Sequence, residues 1–205
     1  MLKQLSIIAI TLLATHAHSA LSQPFVTFGS GQSNYISADD FCKKRPQLSC
    51  EDTDSAFRIS AGVGLWPMYA AEFTYLNHGE ASAKGVVDRT NQVENYIINA
   101  ESFALQLSGT ANVIAQLSVY GKAGIALTKA DASYHAAGII NGIQITKNED
   151  SHAFGGILTV GAQYAVLPNI MLELQADYLP NAINLKEIEF KTGLTQVSAG
   201  LKYQF

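Results

Sequence analysis

The sequence lacks any apolar run of the roughly 18 residues that a membrane-spanning helix requires. It is also poor in charge: only 15% of its 205 residues are Asp, Glu, Lys or Arg, against about 25% in a typical soluble domain. Nevertheless, 48% of its residues are hydrophobic. High apolar content without a long apolar run is typical of a transmembrane barrel, in which each strand presents only alternate residues to lipid.

Basic patches and cofactor motifs are absent as well. The chain has 13 Lys and Arg against 17 Asp and Glu, and the basic residues form no stripe, so we expect no nucleic-acid binding. No phosphate-binding glycine loop, pair of catalytic carboxylates or metal-binding triad is recognisable. We therefore expect no cofactor and no metal.

Residues 1–19 predict a secretory signal peptide. A lysine near the start is followed by a short apolar core, and small residues precede the expected cleavage point after Ser19. Cleavage after Ala20 is the alternative, and a short N-terminal helix or anchor is the other interpretation of the segment. Residues 20–205 are then a single domain.

Cysteine is rare, and the two cysteines both lie in the exported part of the chain. Cys42 and Cys50 are eight residues apart in a polar stretch. Two cysteines without a nearby histidine do not complete a zinc site, whereas an exported protein readily forms a disulfide. We expect Cys42 and Cys50 to be bonded to each other in an external loop.

Apolar residues alternate with polar ones in eight short segments, the pattern of β-strands. In the last segment, Val197, Ala199 and Leu201 share one face with two aromatic residues, and Lys202 lies on the other face. The predicted strands are residues 25–31, 56–65, 71–75, 96–108, 117–127, 154–164, 170–178 and 193–205.

The connections between these segments alternate between long and short. Residues 32–54, 77–95, 132–150 and 179–192 are long and polar, whereas the other three connections are tight turns. The sequence therefore predicts an all-β fold, an eight-stranded antiparallel up-and-down transmembrane β-barrel with short periplasmic turns and long external loops. A soluble lipocalin-like barrel is the structural alternative.

One strand breaks the alternation. Tyr96 and Ile98 have the opposite parity to Phe103, so we expect a β-bulge within residues 99–102. With this bulge, Glu101 faces the lumen; without it, Glu101 faces lipid.

Four stretches resemble the eight-stranded barrel domain of the outer-membrane protein A (OmpA) family. They are residues 61–75 (AGVGLWPMYAAEFTY), 118–125 (SVYGKAGI), 155–164 (GGILTVGAQY) and 201–205 (LKYQF). The resemblance implies a bacterial outer-membrane location, with lipid and lipopolysaccharide around the barrel. It also implies that the barrel assembly machinery reads Leu201, Tyr203 and Phe205 as an assembly signal. The sequence departs from two-domain members of the family in that we expect no peptidoglycan-binding domain after residue 205, so the cell-wall tethering of those members is not carried over.

Six charged residues have the parity of the lumen: Arg58, Glu72, Lys122, Glu173, Asp177 and Lys202. An eight-stranded barrel is just wide enough to be filled by side chains, and buried charges require partners. We expect these residues to form a structural salt-bridge plug, with Glu173 and Lys202 in one network. The alternative is a gate that rearranges to pass small solutes.

Aromatic residues at the strand ends predict two girdles at the membrane interfaces. The periplasmic group is Trp66, Tyr69, Tyr164, Tyr203 and Phe205, and the outer group is Phe57, Tyr75, Tyr96 and Tyr178. We also expect Val160 and Leu172 to face lipid and Ser198 to face the lumen. Arginine should therefore be tolerated best at Ser198.

The histidines give no support for catalysis. His78, His135 and His152 are predicted to be exposed in loops or at strand ends, and Ser151 and His152 would face opposite sides of a strand. Small outer-membrane lipid-modifying enzymes have similar barrels, but no His-x-Ser pattern resembling a deacylase site is present. We expect a monomeric, non-enzymatic protein with a structural or surface-interaction role, in which the loops bind an extracellular ligand. A narrow porin-like channel is the alternative.

Overall fold

The computed structural model describes residues 23–36, 42–43, 47–87, 92–138, 144–185 and 190–205. The predicted signal peptide, residues 1–19, lies outside the described residues. No helix in the described part is long and apolar enough to cross a membrane. The strands are β1 (Pro24–Tyr35), β2 (Leu48–Glu51), β3 (Thr53–Trp66), β4 (Tyr69–Val87), β5 (Gln92–Asn112), β6 (Leu117–Gly138), β7 (Gln144–Leu167), β8 (Ile170–Leu185) and β9 (Phe190–Gln204).

Eight of these strands close into a ring. All pairings are antiparallel, in the order β4-β3-β1-β9-β8-β7-β6-β5, and β5 pairs back with β4 to complete the barrel. The short strand β2 lies outside the ring and pairs with the far end of β4. The predicted eight-stranded up-and-down barrel is confirmed. In the central part of the ring each strand pairs with a neighbour on both sides, which satisfies the backbone groups of a strand that crosses lipid. Residues 144–157 of β7 are paired with β6 alone.

The barrel is apolar outside and polar inside over its central part. Val160 and Leu172 are 66% and 50% exposed, whereas Ser198 is 1% exposed. The predicted facing of these three residues is confirmed. The outward apolar band on β6 runs from Val119 to Leu127, and nine residues match one tilted membrane crossing.

The strands continue well beyond this band, so the predicted long loops were wrong in part. Strand β4 extends to Val87, β6 to Gly138, and β7 begins at Gln144. The prediction ended each strand where outward apolar residues stop. The backbone ladder continues past that point because its hydrogen bonds do not depend on whether lipid or water contacts the outer face.

Above the band, the inside of the barrel is apolar. Its fully buried apolar side chains include Tyr35, Leu76, Leu179, Ile183, Leu185 and Leu194. With Ile98 and several alanines they form one cluster. Water surrounds this part of the barrel, so apolar residues pack inward as in a soluble protein.

The bulge lies in a different strand from the one predicted. Strand β5 pairs with β6 without any shift, from Gln92↔Gly138 to Asn112↔Ser118. The shift occurs in β4, between Asn77 and Glu80, where Gly79 has φ 65°. Ile98 keeps the parity of the inward residues and joins the apolar cluster, so residues 99–102 need no bulge.

Candidate functional site

The barrel interior holds two close ion pairs that cross the lumen. Arg58 on β3 donates from Nη2 to Oε2 of Glu173 on β8 at 2.7 Å. Lys122 on β6 donates from Nζ to both carboxylate oxygens of Glu72 on β4, each at 2.8 Å. All four side chains are buried, and each pair joins strands that are not neighbours in the ring: β1 and β9 lie between β3 and β8, and β5 lies between β4 and β6. Such pairs fix side-chain positions, because removal of one member would leave a buried charge.

Asp177 is held by neutral donors. Its carboxylate accepts from Thr159 Oγ1 at 2.6 Å and from Gln175 Nε2 at 2.8 Å. Gln106 donates in turn to Thr159 at 2.9 Å, and Tyr120 donates to Gln175 Oε1 at 3.1 Å. The six predicted charges are therefore joined to polar side chains of the same interior layer.

Lys202 lies at the periplasmic edge of this layer and makes only long contacts. Its Nζ is 3.8 Å from Glu173 Oε1 and 3.5 Å from Gln163 Oε1. The same nitrogen sits 4.0 Å above the centroid of the Phe25 ring. The structure places Glu173 and Lys202 near each other, but the close partner of Glu173 is Arg58.

A cavity of about 330 Å³ opens below Lys202 at the periplasmic end. Phe25 and Lys202 contribute to its inner surface, and Trp66 and Tyr69 lie at the turn that borders it. The interior is thus packed in its centre and hollow at one end.

At the outer end of the apolar band, polar residues appear on the outward face. Glu101 is one of them, and the prediction that it faces the lumen was wrong because β5 has no bulge. Tyr75 donates its hydroxyl hydrogen to Glu101 Oε2 at 3.0 Å. Above them, Lys129 pairs with Asp131 at 3.0 Å, and this contact lowers the pKa of the Asp131 carboxyl.

His78 is buried, contrary to the prediction that it is an exposed loop residue. It is 0% exposed, and its Nε2 lies 2.9 Å from Ser102 Oγ. Its backbone carbonyl accepts a hydrogen bond from Ser33. His78 has the same parity as the buried residues Thr74 and Leu76, so the alternation of β4 directs it into the lumen, and the bulge changes the parity only after it. His135 and His152 are exposed as predicted, and Ser151 and His152 face opposite sides of β7.

Asp54 holds the bulge from the neighbouring strand. Its carboxylate accepts from the backbone N–H of Glu80 at 2.8 Å and from that of Ser55 at 2.7 Å. These two donors, first Glu80 and then Ser55, hold the pKa of the Asp54 carboxyl below its ordinary value.

The predicted disulfide between Cys42 and Cys50 is present. Cys50 belongs to β2 and lies opposite Ala83 of β4. The bond therefore fastens the segment after β1 to the sheet above the membrane band.

The aromatic residues follow the predicted girdles with one exception. Tyr96 faces inward above the band and stacks on Tyr134 with ring centroids 4.6 Å apart. Both hydroxyls donate to the Glu94 carboxylate, at 3.0 and 3.4 Å. The prediction for Tyr96 was wrong because the inward face is apolar and aromatic at this height.

The terminal segment presents its apolar side chains outward. Leu201, Tyr203 and Phe205 are all exposed on the barrel surface, and the rings of Tyr203 and Phe205 meet edge to face at 5.0 Å. Their role in assembly stays a prediction.

Comparison with known proteins places this geometry in a family. The model of the OmpA-like transmembrane domain matches residues 23–205. The chain belongs to this family. Two proteins named outer membrane protein P5 from Haemophilus influenzae are similar: one is 30% identical over 109 residues, covering 49% of this chain and 30% of the relative. The other is 28% identical over 149 residues, covering 66% and 39%. The chain spans less than two fifths of the length of these curated relatives.

Solved structures show the same fold at low identity. The outer membrane protein OprG from Pseudomonas aeruginosa has a TM-score of 0.53 and 12% identity, covering 90% of this chain and 97% of that one. A major outer membrane protein from Thermus thermophilus has a TM-score of 0.55 and 12% identity, covering 90% and 99%. This OmpA-like protein is an integral β-barrel of the bacterial outer membrane, surrounded by its lipids.

Two interior features of this OmpA-like barrel were missed from the sequence. One is buried His78, and the other is the apolar cluster above the charged layer. A signal for the cluster exists in the sequence, because Leu179 and Leu194 have the same parity as Asp177 and Gln196. Following lumen parity past the last charged residue would have found it.

Proposed function

We propose that this protein is a closed, non-enzymatic barrel that displays a rigid sheet at the cell surface for contacts with extracellular ligands. The observation that carries the proposal is the length of strands β4 to β7. On β6, the strand continues from Leu127, the end of the apolar band, to Gly138. At about 3.3 Å per residue, this adds roughly 35 Å along the strand.

The surface of this extension suits contact with water and soluble partners. Its outward face carries Glu101, Lys129, Asp131, Asp150 and His152, while its inward face is packed with apolar residues. The disulfide links Cys42 to β2, which pairs with β4 of the same sheet. A preformed surface of this kind loses little conformational entropy when a partner binds.

The packing of the lumen disfavours the channel alternative. A solute entering from the periplasm would meet the Arg58–Glu173 and Lys122–Glu72 pairs first. It would then meet Leu76, Leu179 and Leu194, which are fully buried just above them. Opening the ion pairs alone leaves the apolar barrier in place, and transfer of a hydrated ion through it is costly.

The same geometry disfavours a catalytic role. His135 and His152 lie on exposed strand surfaces, and Ser151 turns away from His152 to donate to the Asn184 carbonyl at 3.0 Å. In the described part of the chain, no group of three His, Cys, Asp or Glu side chains has a metal-binding arrangement.

Two measurements on matched proteins test the proposal. In the variant, Ser133 is joined to Asn148, its partner in the ladder, through an Asn-Gly turn that replaces residues 134–147. The control replaces the periplasmic turn Pro67-Met68 with Asn-Gly. Heat-modifiability on gels verifies insertion of both proteins.

We expect bacteria that produce the shortened variant to lose adherence to epithelial cell layers, and the control to keep it. We also expect the purified wild-type barrel to give no conductance steps in planar bilayers. Unchanged adherence of the variant together with discrete conductance steps of the wild type would favour the channel.

We further propose that the barrel assembly machinery reads Leu201, Tyr203 and Phe205. Their support is that Leu201 and Tyr203 of β9, and Phe205 directly after it, are all exposed, where another protein can reach them before the barrel is inserted. Phe205→Ala should lower the amount of barrel in the outer membrane of living cells and leave refolding into detergent unchanged. An equal loss in both assays would assign Phe205 to barrel stability instead.

A further inference from the structure

The periplasmic cavity combines three kinds of lining. Lys202 supplies a positive charge, Phe25 and Trp66 supply aromatic surface, and Gln163, Gln204 and Asn112 supply amide groups. Its volume of about 330 Å³ falls at the lower end of the range for small-molecule sites. Because its mouth lies among the short turns, it opens toward the periplasm.

The interior charges leave a positive charge at this cavity. Arg58 neutralises Glu173 at 2.7 Å, and Lys122 neutralises Glu72 at 2.8 Å. Asp177 lies further in and is held by Thr159 and Gln175. Lys202 is then the interior cation without a close carboxylate among the described residues. Its ammonium can donate three hydrogen bonds, but its contacts to Glu173 and Gln163 are 3.8 and 3.5 Å long.

We propose that this cavity binds the C-terminal carboxylate of a short peptide, with the carboxylate on Lys202. A single lysine matches one negative charge, which favours a monocarboxylate over a doubly charged phosphate. The Phe25 ring under the ammonium screens one side of it and directs its remaining donors toward the cavity. Glu173 does not repel the incoming carboxylate strongly, because its own charge is paired with Arg58.

The walls select a peptide over a simple fatty acid. Asn112 Oδ1 accepts from Ser118, Gln163 Oε1 accepts from Lys202, and Gln204 Nε2 donates to Gln23. The NH2 groups of Asn112 and Gln163 and the carbonyl of Gln204 therefore complement peptide C=O and N–H groups. Small apolar side chains next to the carboxylate would contact Phe25 and Trp66. The cavity is distinct from the extracellular sheet. A negative result for peptide binding would therefore leave the proposed surface role unaffected, and the reverse also holds.

The wild-type chain contains a natural fluorescent probe of this cavity. Trp66 is the only tryptophan and lies on the cavity. We suggest titrating the refolded barrel, in zwitterionic detergent at pH 7, with N-acetyl-Ala-Ala. Trp66 fluorescence and the side-chain NMR signals of isotope-labelled lysines are recorded. The dipeptide amide and hexanoate serve as the comparison probes.

With the peptide acid, we expect a saturable change in Trp66 fluorescence and a shift of the Lys202 NMR signal. The dipeptide amide should bind the wild type at least about tenfold more weakly, and the peptide acid should bind Lys202→Met at least about tenfold more weakly. Lys129→Met, which removes an exposed lysine on the outward face just above the apolar band, should bind like the wild type. Hexanoate should bind more weakly than the peptide acid.

Three results would overturn the proposal: equal binding of acid and amide, no shift of the Lys202 signal in the wild type, or hexanoate binding as tightly as the peptide. The lysine NMR signals are measured on the wild-type barrel. Absence of a Lys202 shift would therefore overturn the proposal even if Lys202→Met failed to fold.

Discussion

At the scale of single residues, Arg58 and Lys202 both reach Glu173, but at 2.7 and 3.8 Å. Arg58 is fully buried and also donates from Nε to Ser198 Oγ at 3.1 Å. Arg58→Met should therefore lower the free energy of unfolding by about 3 kcal/mol or more, because Glu173 loses its close partner. Lys202→Met should cost about 1 kcal/mol, since only long contacts are lost.

Urea titration of the refolded barrel in detergent measures both losses. Adding Glu173→Gln to Arg58→Met should recover part of the stability, because the stranded charge is then removed. Strictly additive effects in this cycle would contradict a coupled pair. A larger loss for Lys202→Met than for Arg58→Met would place the main interaction of Glu173 on Lys202.

Asp54 gives the bulge a dependence on pH. The Glu80 and Ser55 N–H groups lower its pKa in the folded protein, so the folded state favours the charged carboxylate. This contribution is present above the ordinary pKa of 3.8 and is lost as the pH falls through the lowered folded value. The Glu80 amide NMR shift should follow this titration, with a midpoint below 3.8, and Asp54→Asn should abolish it. A midpoint at or above 3.8 would contradict the lowered pKa.

At the scale of elements, the β4 bulge depends on Gly79. With φ 65° this residue is left-handed, and a Cβ atom here would lie 2.5 Å from both Asp54 Oδ2 and the Ser55 carbonyl oxygen. Gly79→Ala should lower the free energy of unfolding by more than about 1–2 kcal/mol, the cost of a left-handed non-glycine residue. Gly121→Ala is the control, because its Cβ would meet only a carbonyl oxygen, at 3.9 Å. Similar urea midpoints for the two variants would show that the bulge tolerates a side chain.

The sequence allowed the crossing part of each strand to be predicted, but not the extension above it. Alternation from Val119 to Leu127 was readable because lipid demands an apolar outer face. Beyond Leu127, the outer face becomes polar and the inner face apolar. The alternation that identified the strand, apolar outside and polar inside, therefore no longer applies. The bulge was assigned to β5 because Ile98 has the opposite parity to Phe103. Its true position depends on Asp54, which is far from β4 in sequence and meets Glu80 only in the fold.

The sequence predicted which charged residues face the interior, but not which of them pair with each other. Parity alone shows that Arg58, Glu173 and Lys202 face the lumen. Which cation reaches Glu173 depends on strand tilt and on side-chain reach across the barrel, and neither follows from a single strand. His78 is a different case, because it has the parity of the inward residues Thr74 and Leu76. It was missed because the strand was predicted to end at Tyr75, whereas β4 continues to Val87.

At the scale of the whole molecule, one part of the barrel is adapted to the bilayer and the part above it is adapted to water. Within the bilayer it is apolar outside and holds its charges inside, and above the bilayer this arrangement is reversed. The reversal on β8 takes one inward step, from Asp177 to Leu179. One continuous set of strands therefore contains a membrane-crossing part and an extension above it that continues the same backbone ladders.

Arginine substitutions at different faces test this arrangement. Arginine at Val160 or Leu172 should destabilise the inserted barrel by about 2–4 kcal/mol if these positions lie near the bilayer midplane. Ser198, where we expected tolerance, is not a suitable inward control. It is 1% exposed and its Oγ lies 3.1 Å from Arg58 Nε, so a new arginine would be buried beside an existing one.

Thr110 is the better inward control, because it borders the water-accessible periplasmic cavity. Thr110→Arg should fold into lipid vesicles with nearly the stability of the wild type, since its charge can reach water. Folding yield and urea midpoints in the vesicles separate the outcomes. If Thr110→Arg is as damaging as Val160→Arg, the periplasmic cavity does not admit water. If Val160→Arg is tolerated, the band from Val119 to Leu127 on the neighbouring strand does not mark the hydrocarbon layer.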